Sequence, residues 1–169
     1  MERFSTVRPL LMAALFTLCA SCGESTTQGP ACVDPQGGTF TGDASGVGSL
    51  RGCASYGVSS SSGSPITALV FTAGDPSSPT PVLTMARDGG RPAAGSYTVG
   101  AAAGNFAGSI LLNGQSFGLS SGTVAIDVSS SGQLQGSVNV TGTRSGAGGS
   151  VTIAGTFIAV CTAVGAVTC

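Results

Sequence analysis

The chemically capable residues of this chain are few: six cysteines, seven carboxylates and six cationic side chains, all of them arginine. Gly118-Leu119-Ser120-Ser121-Gly122 matches G-x-S-x-G, a nucleophile pattern that needs a strand-to-helix turn and a histidine base. The chain has no histidine, and no helical pattern follows Gly122. The same absence removes cysteine–histidine nucleophiles and histidine-ligated metals. Without lysine there is no serine–lysine dyad, Schiff base or phosphate-loop lysine. Cys32, Cys53, Cys161 and Cys169 contain no C-x-x-C spacing, which disfavours a four-thiolate zinc site. Paired carboxylates could still serve a glycosidase. Yet Asp34, Asp43, Asp75 and Asp88 stand in turn-like, glycine- and proline-rich contexts, where aspartate ordinarily bonds its own backbone. Asp127 lies mid-strand on the face opposite Val124, Ile126 and Val128, and solvent exposure of that face accounts for it. No aspartate-rich loop has calcium spacing. The expectation is a chain without catalytic residues, metal or cofactor.

The remaining reactive positions are cysteines, and their placement speaks of location. Arg3 and Arg8 precede an apolar run from Leu10 to Ala20, too short to span a bilayer, which takes roughly 20 residues. That is the layout of a secretory signal. The run ends in Leu18-Cys19-Ala20-Ser21-Cys22-Gly23, which resembles the lipobox of bacterial lipoproteins, with small residues before the cysteine that receives lipid. Cys19 stands where that pattern usually has leucine. The resemblance implies a signal peptide over 1–21, lipidation of Cys22, and a membrane anchor through that lipid. Gly23 rather than aspartate after Cys22 resembles the sorting pattern for the outer membrane of a double-membraned cell. The plainer alternative is an ordinary cleaved signal, with Cys22 merely the first thiol. Losing Cys19 to the signal and Cys22 to lipid leaves Cys32, Cys53, Cys161 and Cys169, an even set suited to disulfides in an oxidising compartment.

Residues 22–31, small and polar with Pro30, read as a tether. Residues 32–169 read as one disulfide-linked domain. Its charge is Arg51, Arg87, Arg91 and Arg144 against Asp34, Asp43, Asp75, Asp88 and Asp127. No nucleic-acid-binding field can be built from that. Twenty-eight glycines suggest a linker, but 41% hydrophobic and 8% charged residues reverse the composition of disorder.

The apolar period along the domain is two. Val124, Ile126 and Val128 share a face; so do Leu134, Gly136, Val138 and Val140, and then Val151, Ile153, Gly155, Phe157 and Ala159. Three such segments with Gly/Ser turns form an antiparallel meander. Shorter candidates are Thr39–Thr41, Ser49–Val58, Ile66–Thr72, Val82–Arg87, Ser96–Val99, Ser109–Leu112 and Phe117–Ser120. Pro76, Pro79 and Pro81 predict a loop over Gly74–Pro81. The fold expected is all-β, an antiparallel sandwich or small closed barrel of about 8–10 short strands. Gly-Ser-Tyr-Thr-Val, Gly-Thr-Val-Ala-Ile-Asp-Val, Leu-Gln-Gly-Ser-Val-Asn-Val and Val-Thr-Ile-Ala-Gly-Thr-Phe, over residues 95–161, resemble the C-terminal meander of uncharacterised bacterial lipoproteins. That resemblance implies a fold and no activity.

Four cysteines allow three pairings. Cys161 and Cys169 flank Gly165 symmetrically, as in a closing hairpin, which favours Cys161–Cys169 with Cys32–Cys53; the rival joins an early cysteine to a late one. Sugar platforms usually expose aromatic rings, whereas Tyr56, Tyr97 and five phenylalanines here should mostly be core. The expected function is an envelope lipoprotein with a non-catalytic structural or interaction domain, its partner a protein or a small apolar ligand. The alternatives are a lipocalin-like carrier of an apolar ligand and, more weakly, a carboxylate-dependent hydrolase.

Overall fold

The computed structural model describes residues 37–61, 63–73, 80–146, 148–162 and 167–169. The expected signal peptide, Cys22, the tether, Cys32, Glu24, Asp34 and Asp75 lie outside them. Within them the chain is all β. Its strands are β1 (Thr39–Ala44), β2 (Gly48–Ser61), β3 (Ser64–Ala73), β4 (Thr80–Asp88), β5 (Gly95–Thr98), β6 (Ala107–Leu112), β7 (Gln115–Ser129), β8 (Gln133–Thr143), β9 (Ser150–Cys161) and β10 (Val167–Thr168).

Eight of these strands close into an antiparallel barrel in the order β1-β9-β8-β7-β6-β4-β3-β2, because β1 also pairs with β2. β5 runs beside β7 and β10 beside β2. Closure removes sheet edges, which open sandwiches must protect by other means. β1 lies between β9 and the first half of β2; past its start, β2 and β9 meet directly in a short parallel contact, Ser55↔Val160 and Tyr56↔Cys161.

Alternation makes the core. β8 buries Leu134, Gly136, Val138 and Val140, and β9 buries Val151, Ile153, Phe157 and Ala159, as the period-two pattern predicts. Each fully buried Val, Leu, Ile or Phe contributes about 1.5–3 kcal/mol of transfer free energy. Phe71 meets Phe40 and Phe157 edge to face, with ring centroids 5.0 and 5.3 Å away. Gly42 and Gly155, opposite each other on β1 and β9, make room for this cluster: a Cβ on either would lie 3.0 Å from the Phe40 ring. Among the described residues no buried side-chain polar atom lacks a hydrogen-bond partner.

Two expectations are corrected. The loop predicted over Gly74–Pro81 ends earlier, since β4 starts at Thr80 and Pro81 pairs with Thr72. The register slips between Phe71 and Thr72, leaving Val82 as the extra residue. A bulge is one of the few places where a strand tolerates proline, which has no N–H to donate. Second, Val128 does not share the inner face with Val124 and Ile126. It is 45% exposed, because β7 slips register between Ile126 and Val128.

Candidate functional site

Ser120, centre of the G-x-S-x-G match, sits within strand β7 rather than at a strand-to-helix turn. The register also slips between Leu119 and Ser121, so Ser120 is a bulge residue. Its hydroxyl donates to the Thr141 carbonyl at 3.1 Å, a local backbone bond of the kind serine favours. The described carboxylates stand apart. Asp43 accepts a hydrogen bond from the Ser49 hydroxyl at 2.9 Å, and Asp88 ends β4 opposite Ile66. Along the strand ladder Asp43 and Asp127 are three strands and four residues apart, on the order of 15–20 Å. Glycosidase pairs stand about 5–10 Å apart. Among the described residues no three His, Cys, Asp or Glu side chains gather as metal ligands do.

Cys161 and Cys169 are joined, with Cα atoms 5.7 Å apart. The geometry differs from the closing hairpin the spacing suggested: β10 pairs with β2 instead of folding back on β9. Cys53 is disulfide-bonded too, and its expected partner Cys32 lies outside the described residues. The end of the chain is further held by the Thr168 hydroxyl donating to the Val58 carbonyl at 3.2 Å and by Arg91 donating to the Cys169 carbonyl at 2.9 Å. Val167 lies over Gly57, where any Cβ would collide with it, beside an apolar-walled groove of about 280 Å³ that includes Ala68 and Val70.

At the same end, the buried Tyr56 phenol lies 2.8 and 2.9 Å from the Ser130 and Ser131 carbonyls and donates to that turn. Burial raises its pKa above the ordinary tyrosine value, while Arg91 pulls the other way. The groups of this cluster are engaged with one another and with backbone.

The second hollow is different. It lies on the outer surface where β1, β9, β8 and β7 run side by side, holds about 220 Å³, and its lining includes Thr39, Thr41, Asp127, Gln135, Thr156 and Ile158. Cross-strand register explains the grouping. Thr41 faces Thr156, and Thr39 faces Ile158, which faces Gln135, which faces Val128. Four strands therefore bring one row of outward side chains together. The bulge at Asp127 completes it: two residues of β7 stand against Gln135 alone, so the carboxylate is displaced beside the row and Val128 turns outward. Val128 and Ile158, two of the four exposed large hydrophobic residues among the described residues, flank Gln135 in that row.

From the sequence, Asp127 is an ordinary exposed residue and Val128 belongs to the core face. The alternation TVAIDV is unbroken through the bulge and carries no sign of it. Thr39, Gln135 and Thr156 carry no signal of their own; only the register collects them.

The chain matches no protein-family model, and no match was found among curated proteins or solved structures.

Proposed function

We propose that the chain is an exported envelope lipoprotein, anchored through lipid on Cys22, whose barrel is a non-catalytic interaction module working through its outer face. The observation that carries the outer face is the state of the interior. Leu69, Leu83, Met85, Ile110, Val124, Leu134, Val140 and Ile153 all have 0% exposure, so these side chains border no water-sized void. A barrel filled in this way recognises partners with its outside, where hydroxyl and amide groups dominate and the hollow beside Asp127 lies. The lack of histidine and lysine throughout the sequence supports a non-catalytic role.

The anchor rests on the N-terminal residues: two arginines, a short apolar run, and small residues immediately before Cys22. Gly23 supports outer-membrane residence if the host has two membranes. The test is mass spectrometry of the protein from its native membranes, with fractionation of a Cys22→Ser variant. The expected result is an acylated Cys22 as first residue, and loss of processing and of membrane retention in the variant. A variant processed and retained like the parent overturns the anchor.

A second reading has one observation in its favour. An eight-stranded closed antiparallel barrel is the architecture of lipocalin-like carriers. A carrier role would require the inner side chains, Tyr56 and Phe71 among them, to yield space for an apolar guest. Native mass spectrometry decides: a carrier leaves the envelope with a small-molecule mass bound, and an interaction module leaves empty.

A further inference from the structure

We propose that the outer hollow beside the Asp127 bulge is a binding site for an uncharged saccharide; the proposal rests on the outer-face reading above and names its ligand. The polar side chains of the hollow are one carboxylate, one amide and three hydroxyls. A carboxylate only accepts, an amide both donates and accepts, and each hydroxyl does either. That set matches the alternating donors and acceptors of a polyol, whose neighbouring hydroxyls can share the two oxygens of Asp127 or the O and N of Gln135. Directly opposed residues on paired strands have Cβ atoms about 4.5–5.5 Å apart, and same-face residues along one strand lie about 6.6 Å apart. Thr41 and Thr156 have the first relation, Thr39 and Thr41 the second, so the hydroxyls are spread over the width of a sugar ring.

The alternatives fit less well. Among the described residues no cationic side chain lines the hollow, so a phosphate, sulfate or carboxylate ligand would meet Asp127 with no counter-charge there. An apolar ligand would strip water from Asp127 and three hydroxyls without replacing their hydrogen bonds. A lone cation would rely on one exposed carboxylate, a contact of little worth in water. Saccharides also need an apolar surface for the C–H face of the ring. Aromatic rings usually supply it, but Phe157 of the lining and Tyr56 are buried, and Tyr97 packs on Phe106 at a centroid distance of 5.8 Å. Here the surface is aliphatic. Ile158 lies in the hollow and Val128 beside it, 36% and 45% exposed. Val128 is exposed only because of the bulge. A regular β7 would place it on the inner face with Val124 and Ile126, so this strand forgoes core burial to put an apolar side chain next to a carboxylate. A hollow of about 220 Å³, below the ~300–1,000 Å³ usual for enclosed ligand sites, suits a single sugar unit. Without a stacked ring the affinity should be weak, with Kd on the order of a millimolar.

The test is an NMR titration of the oxidised full-length chain carrying Cys22→Ser, with the neutral disaccharides maltose, cellobiose and diacetylchitobiose. Inorganic phosphate and a lysine-rich peptide serve as comparison ligands. At least one disaccharide should give saturable amide shifts confined to 39–41, 126–128, 135–136 and 156–158. Asp127→Ala and Gln135→Ala should each weaken that binding about tenfold or more while leaving the melting temperature unchanged. Val128→Thr should weaken it less. The proposal is overturned if no neutral disaccharide saturates these shifts by ~50 mM. It is also overturned if both alanine variants bind like the parent, or if phosphate or the peptide binds there more tightly than any saccharide. Because the titrated chain carries no lipid, failure of the anchor leaves this result untouched, and failure here leaves the anchor standing.

Discussion

The inner and outer faces of β7, β8 and β9 are made by the same strands and share almost nothing else. Inside stand Val124, Ile126, Leu134, Val138, Val140, Ile153 and Phe157, each at 2% exposure or less. Outside stand Thr123, Asn139 and Thr156, exposed and uncharged. Alternation separates them, since successive side chains of a strand point to opposite faces. The inner face supplies the burial that holds the barrel; the outer face is largely free of that duty and can be shaped for recognition. The two exchange at the Asp127 bulge, where an apolar residue crosses to the outside. Residues that make the fold and residues that could make the function are therefore separable by mutation.

The sharpest way to break that contrast is Phe71→Ala. It removes the ring touched by both Phe40 and Phe157, and should cost about 3–5 kcal/mol in urea unfolding. Thr156→Ala, on the outside, should stay within about 0.5 kcal/mol; equal effects would refute the separation. Next in size is the double change Cys161→Ser with Cys169→Ser, which frees β10. For so short a loop the loss should be about 2–3 kcal/mol, read from denaturation of oxidised protein. An unchanged midpoint would mean that tethering β10 contributes nothing to stability.

Tyr56→Phe should cost about 1–3 kcal/mol, because it leaves the Ser130 and Ser131 carbonyls without the phenol donor. Its pH signature is more specific. Burial raises the folded-state pKa of Tyr56, so the neutral phenol is the form the fold favours. The resulting stability is fully present below the unfolded pKa, near 10, and is lost as pH rises through the higher folded value. Parent stability should fall across that alkaline window more steeply than that of Tyr56→Phe; parallel curves would count against the buried phenol. Smallest of all, Ser120→Ala and Asp127→Ala should each shift stability by no more than about 0.5 kcal/mol. A larger loss at Asp127 would make the second bulge a structural device and not a recognition feature.

Much of the fold was legible from alternation. The segments at 123–128, 134–140 and 150–161 became β7, β8 and β9, and even the weaker Thr39–Thr41 and Ser96–Val99 fell within or against real strands. The Cys161–Cys169 bond was legible from spacing, though its setting on β2 was not. The candidate site was hardly legible. A bulge adds one residue without disturbing the apparent period, so TVAIDV reads the same with or without it. Nothing local tells Thr39, Gln135 and Thr156 apart from the many other polar residues of the domain.

The chain alone establishes a strand domain with one apolar face per strand, poor in charge and without histidine or lysine chemistry. These are properties of composition and of a two-residue period, and each is carried by neighbours in the chain. It took the folded barrel to show that the sheet closes, that its described inner side chains pack without exposure, and which outward residues meet across four strands. Closure and register are relations between segments tens of residues apart, such as the packing of Phe40, Phe71 and Phe157 from β1, β3 and β9, and no local pattern encodes them.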